Sequence, residues 1–109
     1  MRILLVEDHL PLAESLTRAL SQAGYQDVRF ANSAAEALRL LEKRPASVLL
    51  ADWLMPEMDG LELTARVRQL DESINHYTYI VLLTGKEGEQ GLLGIKVPDK
   101  EMQLQNSGL

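Results

Sequence analysis

Four short apolar runs alternate with amphipathic segments along this chain, and this alternation constrains the fold more than any other feature. Runs of this length, bounded by polar residues, are typical of strands buried on both faces of a sheet. The four runs are Arg2–Val6, Val28–Ala31, Ser47–Ala51 and Tyr77–Leu83. We therefore expect four strands joined by longer crossover segments.

Three amphipathic segments fill the intervals between the runs. The first begins near Pro11, which suits the first turn of a helix, and ends at Gly24. The second follows the capping pattern Ser33-Ala34-Ala35-Glu36, and the third begins at Asp59. A polar connection is expected over residues 71–76. The order β-α-β-α-β-α-β predicts an α/β fold, a doubly wound parallel sheet with helices on both faces.

Composition excludes several classes of function. The chain has 109 residues, the size of one domain, and 16 acidic against 11 basic residues give a net charge of −5. This balance argues against direct binding of nucleic acid, which requires a basic face. The absence of cysteine excludes disulfides, thiolate zinc sites and cysteine catalysis.

The sequence also argues against a membrane partner. No apolar run approaches the roughly 20 residues that a membrane span needs. The apolar run Ile3–Val6 is interrupted by Glu7 and Asp8, unlike the apolar core of a signal peptide. We expect a cytoplasmic protein.

Polar side chains stand at three of the predicted strand ends. Glu7 and Asp8 follow the first strand, Asp52 the third and Thr84 the fourth. Because a doubly wound sheet binds ligands beyond the carboxyl ends of its strands, we expect these side chains to meet. Neighbouring carboxylates repel one another, and a divalent cation relieves that repulsion. An all-oxygen ligand set favours Mg²⁺ or Mn²⁺, and one carboxylate of such a site can act as the nucleophile in phosphoryl transfer.

Each of these residues also has a structural interpretation when taken alone. Glu7 and Asp8 can stabilise the N-terminus of the first helix through its dipole. Asp52 can be an acidic loop residue, and Thr84 can simply end a strand. Their occurrence together, in chain order at successive strand ends, favours a functional site.

Three segments of the chain resemble the receiver domain of two-component response regulators. They are Val6-Glu7-Asp8, Asp52-Trp53-Leu54-Met55-Pro56-Glu57-Met58-Asp59-Gly60 and Leu82-Leu83-Thr84-Gly85. The D-x-x-M-P-x-M-D-G pattern is highly specific, and the resemblance covers residues 1–91, which we take as the domain core. It implies a flavodoxin-like parallel sheet of five strands in the order 2-1-3-4-5, flanked by five helices. It also implies Mg²⁺-dependent transfer of a phosphoryl group from a phosphohistidine to one aspartate.

The resemblance implies a role for each matching residue. Asp52 corresponds to the phosphoacceptor, Asp8 to the acid that binds the metal directly, and Glu7 to its neighbour, which acts through water. Leu54 would offer its backbone carbonyl to the metal. Thr84 would bond the phosphoryl group through its hydroxyl.

The resemblance also implies partners. The phosphoryl donor would be a sensor histidine kinase or a phosphotransfer protein, docked on the first helix around residues 9–19. The receiver would act on a downstream effector protein, as a phosphorylation switch rather than as an enzyme.

The family pattern is lost beyond residue 91. Segment Gly85–Gly91 is glycine-rich and a poor helix former where the family has its fourth helix. Residues 92–109 form an irregular segment, in which Leu92–Val97 can be a fifth strand and Asp99–Gln105 a short helix. An altered or truncated coding sequence would explain this change.

The lysine of the family has two candidates in this region. Lys96 is the better match, although Val97 separates it from the proline that should follow it, and its spacing from Thr84 is too short. Lys86 lies nearer to Thr84, on a different element.

An irregular end of the sheet also predicts self-association. Without a regular fifth strand, the fourth strand becomes a sheet edge, and one face of the sheet lies partly bare. Exposed edges and apolar patches favour association. We expect a homodimer or a swapped assembly.

Two main functions stay open on the sequence alone. One is a phosphoaccepting receiver, and the other is a pseudo-receiver or truncated receiver that acts as a phosphate-independent interaction module. A phosphohydrolase of the haloacid dehalogenase type is disfavoured, because Leu54 stands where that family has a second aspartate. A flavodoxin-like nucleotide-binding protein is weaker still, because no glycine-rich loop follows the first strand.

Overall fold

Strands and helices alternate through most of the chain, as the apolar pattern predicts. The computed structural model describes residues 1–83 and the backbone of residues 95–96. The elements are β1 (Arg2–Val6), α1 (Leu10–Gln22), β2 (Asp27–Ala31), α2 (Ala34–Lys43), β3 (Val48–Asp52), α3 (Gly60–Ile74), β4 (Tyr79–Leu83) and β5 (Ile95–Lys96).

The strands form one sheet in the order β2-β1-β3-β4-β5. The first four strands are parallel, with Val6 beside Ala31 and Ala51, and Asp52 beside Leu83. The predicted α/β class and strand order are therefore confirmed. Since β1, β3 and β4 run in the same direction and in register, their carboxyl ends meet at one edge of the sheet.

The fifth strand differs from the parallel strand that the family resemblance implies. Leu82 pairs with Lys96 and Leu83 with Ile95, so β5 is antiparallel to β4 and has only two residues. A parallel neighbour needs a crossover of a dozen or more residues, and 11 separate Leu83 from Ile95. Of the predicted strand Leu92–Val97, the structure describes Ile95–Lys96, and these two residues are a strand. The proposed boundary at residue 91 stays a prediction, and the proposed helix Asp99–Gln105 lies outside the described residues.

The helix starts follow the predicted caps. In α2, the Glu36 N–H donates to Ser33 Oγ at 3.1 Å, and Glu36 Oε1 accepts from the Asn32 N–H at 2.9 Å. In α3, the Glu62 N–H donates to Asp59 Oδ1 at 2.8 Å. A proline lies in the first turn of α1, as expected. The bonds from the Glu36 and Glu62 N–H groups satisfy donors that the helices themselves leave unpaired.

The predicted polar connection over residues 71–76 is wrong, because α3 continues to Ile74. Asp71 lies buried in the last turns of this helix. Its carboxylate accepts hydrogen bonds from the Thr78 N–H at 2.9 Å, from Thr78 Oγ1 at 2.8 Å and from Arg68 Nη1 at 2.7 Å. These partners stabilise a buried charge that the sequence pattern alone assigns to a loop.

The two faces of the sheet are covered differently. One face packs against α2 and α3 through Leu4, Leu49 and Ile80 of the strands and Leu41 and Leu63 of the helices. On the other face, α1 leaves a groove of about 240 Å³. The groove is lined by Met1, Ile3, Leu20, Tyr25, Val48, Leu50, Tyr79 and Val81. Within residues 1–83, no helix has the length and hydropathy to cross a membrane.

Candidate metal centre

Three carboxylates meet at the carboxyl ends of β1 and β3. Glu7 and Asp8 follow β1 directly, and Asp52 is the last residue of β3. One oxygen from each of the three side chains lies within 4.8 Å of the other two. Glu7 and Asp52 are only 1% and 4% exposed, whereas Asp8 is exposed to solvent. The structure thus brings together the three acids that the sequence proposed.

The Glu7 side chain sits in an unfavourable place for a charge. Burial raises the pKa of its carboxyl, and the nearby Asp52 and Asp8 carboxylates raise it further, against a hydrogen bond from the His9 N–H that lowers it. That bond joins the His9 N–H to Glu7 Oε2 at 3.0 Å. The other oxygen, Oε1, is buried without a hydrogen-bond partner among the described residues.

The bond to His9 bears on the alternative role of Glu7. His9 is the N-cap of α1, and its own side chain makes no capping bond. Glu7 therefore supports the start of α1 through a hydrogen bond to the backbone of the N-cap, whereas the structural interpretation invoked the helix dipole. The bond to His9 uses only the Oε2 oxygen of Glu7, so it does not explain why the Oε1 oxygen is buried.

A divalent cation fits this arrangement. The donors are carboxylate oxygens, which Mg²⁺ and Mn²⁺ prefer, and the buried Oε1 of Glu7 has no proton donor in the described part of the chain. Asp8 and Asp52 would bind the ion directly, and Glu7 would act through water. Leu54 lies two residues beyond Asp52 and is 40% exposed, and its backbone carbonyl stays the ligand that the family resemblance implies.

The loop after Asp52 is held through the backbone of Trp53. The Trp53 N–H donates to the Leu83 carbonyl at 2.9 Å, which extends the β3–β4 pairing by one residue. The Trp53 carbonyl accepts from the Gly60 N–H at 2.7 Å, which closes the base of the loop. The residue between Asp52 and Leu54 is therefore tied to both β4 and α3. Sequence reasoning missed this link, since neither bond depends on a side chain.

Gly60 is placed where no side chain fits without adjustment. A Cβ atom at this position would lie 2.9 Å from Leu82 Cδ1, 3.1 Å from Leu82 Cδ2 and 3.3 Å from Trp53 Cα. In the sequence, Gly60 is only the last residue of the D-x-x-M-P-x-M-D-G pattern, which does not reveal this close approach. The structure shows that glycine lets the first turn of α3 approach β4 and the residue beside the phosphoacceptor candidate.

The other proposed site residues lie outside the described part of the structure. These are Thr84 and Lys86. The backbone of Lys96 lies in β5 beside Leu82, but its side chain is not described. The proposed roles of Thr84 and Lys96 therefore stay predictions.

Comparisons with known proteins agree with this geometry. The family model described as the response regulator receiver domain matches residues 3–95. The response regulator receiver protein CpdR of Brucella abortus is 42% identical over 84 residues, which cover 77% of this chain and 66% of that protein. The response regulator MprA of Mycobacterium leprae is 37% identical over 87 residues, which cover 80% of this chain and 36% of that protein. The chain thus spans 66% or less of the length of these two relatives.

The chain is also similar in fold to solved structures, including a receiver domain. The receiver domain of the histidine kinase CKI1 from Arabidopsis thaliana, complexed with Mg²⁺ and BeF3⁻, is 30% identical with a TM-score of 0.71, covering 83% of this chain and 70% of that one. The chemotaxis protein CheY4 of Vibrio cholerae is 27% identical with a TM-score of 0.71, covering 98% of this chain and 79% of that one.

Proposed function

We propose that this chain, which belongs to the response regulator receiver domain family, accepts a phosphoryl group on Asp52 in a Mg²⁺-dependent reaction. The observation that carries the proposal is the cluster of Glu7, Asp8 and Asp52 at the sheet edge. The buried, unpartnered oxygen of Glu7 supports it, because a cation nearby would remove an unfavourable environment.

In the proposed reaction, a carboxylate oxygen of Asp52 attacks the phosphorus atom of a phosphohistidine. The new P–O bond forms as the P–N bond breaks, and the electron pair leaves with the imidazole nitrogen. Phosphoryl transfer passes through a loose transition state, so positioning and charge neutralisation supply most of the rate enhancement. Mg²⁺, when bound, neutralises the acidic cluster and the phosphoryl oxygens.

The residues around Asp52 contribute position rather than chemistry. Pairing with Leu83 of β4 holds Asp52 at the strand end, and the two backbone bonds of Trp53 hold the loop that follows. Asp8 and the Leu54 carbonyl would complete the metal ligands. We expect the Thr84 hydroxyl and the Lys96 ammonium to bind the phosphoryl group after transfer.

The proposed role is that of a switch in the cytoplasm, not of an enzyme that turns over a substrate. The donor would be a sensor histidine kinase or a phosphotransfer protein, and the output would pass to an effector protein. A groove of about 570 Å³ along α1 supports docking of such a donor beside the site. Leu10 and Phe30, which are 55% and 38% exposed, contribute apolar surface to it.

One observation favours the alternative, a pseudo-receiver that binds partners independently of phosphate. The strand that carries Lys96 runs antiparallel to β4, unlike the parallel strand that the family resemblance implies. The switch would require Lys96 to reach the phosphoryl group from a strand of this direction. If it does not reach the phosphoryl group, the acidic cluster would bind the cation without supporting the switch.

The proposal is tested by the intact mass of the protein after incubation with acetyl phosphate, with and without Mg²⁺. We expect one phosphoryl adduct that requires Mg²⁺ and is absent in Asp52→Asn. Asp59→Asn is the matched control, because asparagine caps a helix as well as aspartate does, so the adduct should persist. A folded wild-type protein without an adduct would instead support the pseudo-receiver.

A further inference from the structure

Thr64 carries a buried hydroxyl group for which the proposed reaction has no use. It lies in the second turn of α3 and is 0% exposed. Its Oγ1 donates to the carbonyl oxygen of Gly60 at 2.7 Å. Threonine is a weaker helix former than alanine or leucine, so propensity does not explain its presence here.

The bond from Thr64 adds a side-chain restraint to Gly60, the first residue of α3. The N–H of Gly60 donates to the Trp53 carbonyl at 2.7 Å, and its carbonyl accepts from Thr64 Oγ1. Glycine has more backbone freedom than any other residue, so its conformation depends on such bonds. Each side of Gly60 is thus held by a short hydrogen bond.

These bonds lead from α3 to the metal centre. Trp53 stands between Asp52 and Leu54, the two residues of this segment that would bind the cation. The Trp53 carbonyl accepts the Gly60 N–H, so a shift of Gly60 acts directly on this carbonyl. Loosening Gly60 would therefore allow the Leu54 carbonyl and the Asp52 carboxylate to move apart.

We propose that Thr64 is a positioning residue for the Mg²⁺ site, acting through Gly60 and Trp53. This inference rests on the proposed function, since it concerns the cation that the acidic cluster would bind. Thr64 does not touch the ion, so its effect should appear in affinity and not in the identity of the ligands.

The test is a Mg²⁺ titration of Thr64→Val, which keeps the branched shape and removes the hydroxyl. Trp53 is the only tryptophan and is adjacent to Asp52, so its fluorescence reports binding directly. We expect the Kd for Mg²⁺ to rise about fivefold, the effect of losing one net hydrogen bond. Thr64→Ser, which restores the hydroxyl, should return the Kd to within about twofold of the wild-type value.

Thr78→Val is the matched control. Thr78 is 1% exposed, and its Oγ1 donates to Asp71 Oδ1 at 2.8 Å, just before the amino end of β4. Both valine variants should lower the thermal unfolding midpoint, because each removes a buried hydrogen bond. Only Thr64→Val should weaken Mg²⁺ binding.

The outcomes separate the inference from the proposed function. A wild-type protein that shows no binding of Mg²⁺ would overturn the proposed function. Wild-type binding with an unchanged Kd in Thr64→Val, or with equal weakening in Thr78→Val, would overturn the role of Thr64 alone. If Thr64→Val does not fold, Thr64→Ala replaces it, since alanine favours the helix and also lacks the hydroxyl.

Discussion

The carboxyl of Glu7 lies in an environment that favours its protonated form. Burial and the two neighbouring acids raise its pKa above the ordinary glutamate value. In the absence of a cation, the folded state therefore binds this proton more tightly than the unfolded chain does. Its contribution to stability is complete below the ordinary pKa and is lost as the pH rises through the raised pKa.

The substitution Glu7→Gln removes the part of the pH dependence of stability that comes from this carboxyl. Without Mg²⁺, we expect the variant to exceed the wild-type free energy of unfolding by about 1 kcal/mol near neutral pH, with the difference growing as pH rises through the raised pKa. Added Mg²⁺ should stabilise the wild type more than the variant. Urea unfolding with EDTA or Mg²⁺ measures both effects. Glu42→Gln, an exposed acid in α2, should change neither, and an equal response in the two variants would contradict the assignment.

The close approach of Gly60 and Leu82 gives a second prediction for single residues. Gly60→Ala should lower the free energy of unfolding by about 2 kcal/mol, because its Cβ would meet both Leu82 δ-carbons. Leu82→Val removes those carbons and should cost about 1 kcal/mol alone. We expect the double variant to lose less free energy of unfolding than the sum of the losses in the two single variants. Strict additivity in a urea double-mutant cycle would show that the contact is not the cause.

At the scale of elements, the join between α3 and β4 depends on one buried acid. Asp71 links the end of the helix to Thr78, just before the strand, and Arg68 accompanies it. The Arg68 guanidinium also lies 4.3 Å from the centre of the Tyr77 ring. These contacts let a polar segment continue as helix where an isolated sequence favours a loop.

Asp71→Ala should therefore destabilise the protein by about 3 kcal/mol, because it leaves the buried Thr78 N–H and hydroxyl without their acceptor. Glu72→Ala, at the next position and exposed, should change stability by less than about 0.5 kcal/mol. Urea unfolding monitored by far-UV circular dichroism compares the two. Similar losses in both variants would indicate a general effect of acidic residues at this helix end.

At the scale of the whole molecule, the sheet face beside α1 exposes apolar surface in the described residues. Tyr79 lies at the start of β4 and is 48% exposed on this face. β5 pairs with Leu82 and Leu83 at the other end of β4, so it does not pair with Tyr79. The predicted homodimer stays a prediction, and this face is its most direct explanation. Interfaces between identical subunits are typically richer in apolar and aromatic residues than the remaining surface.

Light scattering at high micromolar concentration tests that explanation. We expect a dimer mass for the wild type and a shift towards monomer in Tyr79→Glu, which places a charge in the groove. Ile74→Glu is the control, because Ile74 is 46% exposed but does not line the groove. A wild-type monomer would overturn the prediction, and equal shifts in both variants would place the contact elsewhere.

The sequence by itself determined the local features. Strand and helix periodicity, the Ser33 and Asp59 caps and the acids at two strand ends were all confirmed, since each depends on residues close together in the chain. The D-x-x-M-P-x-M-D-G pattern identified the family because it spans a single loop. Thr84 and Lys96 stay predictions.

Tertiary structure decided what depends on residues distant in the chain. The length of α3 follows from Asp71 meeting Thr78 across a turn, and the direction of β5 from a connection too short for a parallel crossover. The need for glycine at position 60 follows from the distance to Leu82, on another element. Sequence periodicity describes one element at a time, whereas these features arise only when elements pack against one another.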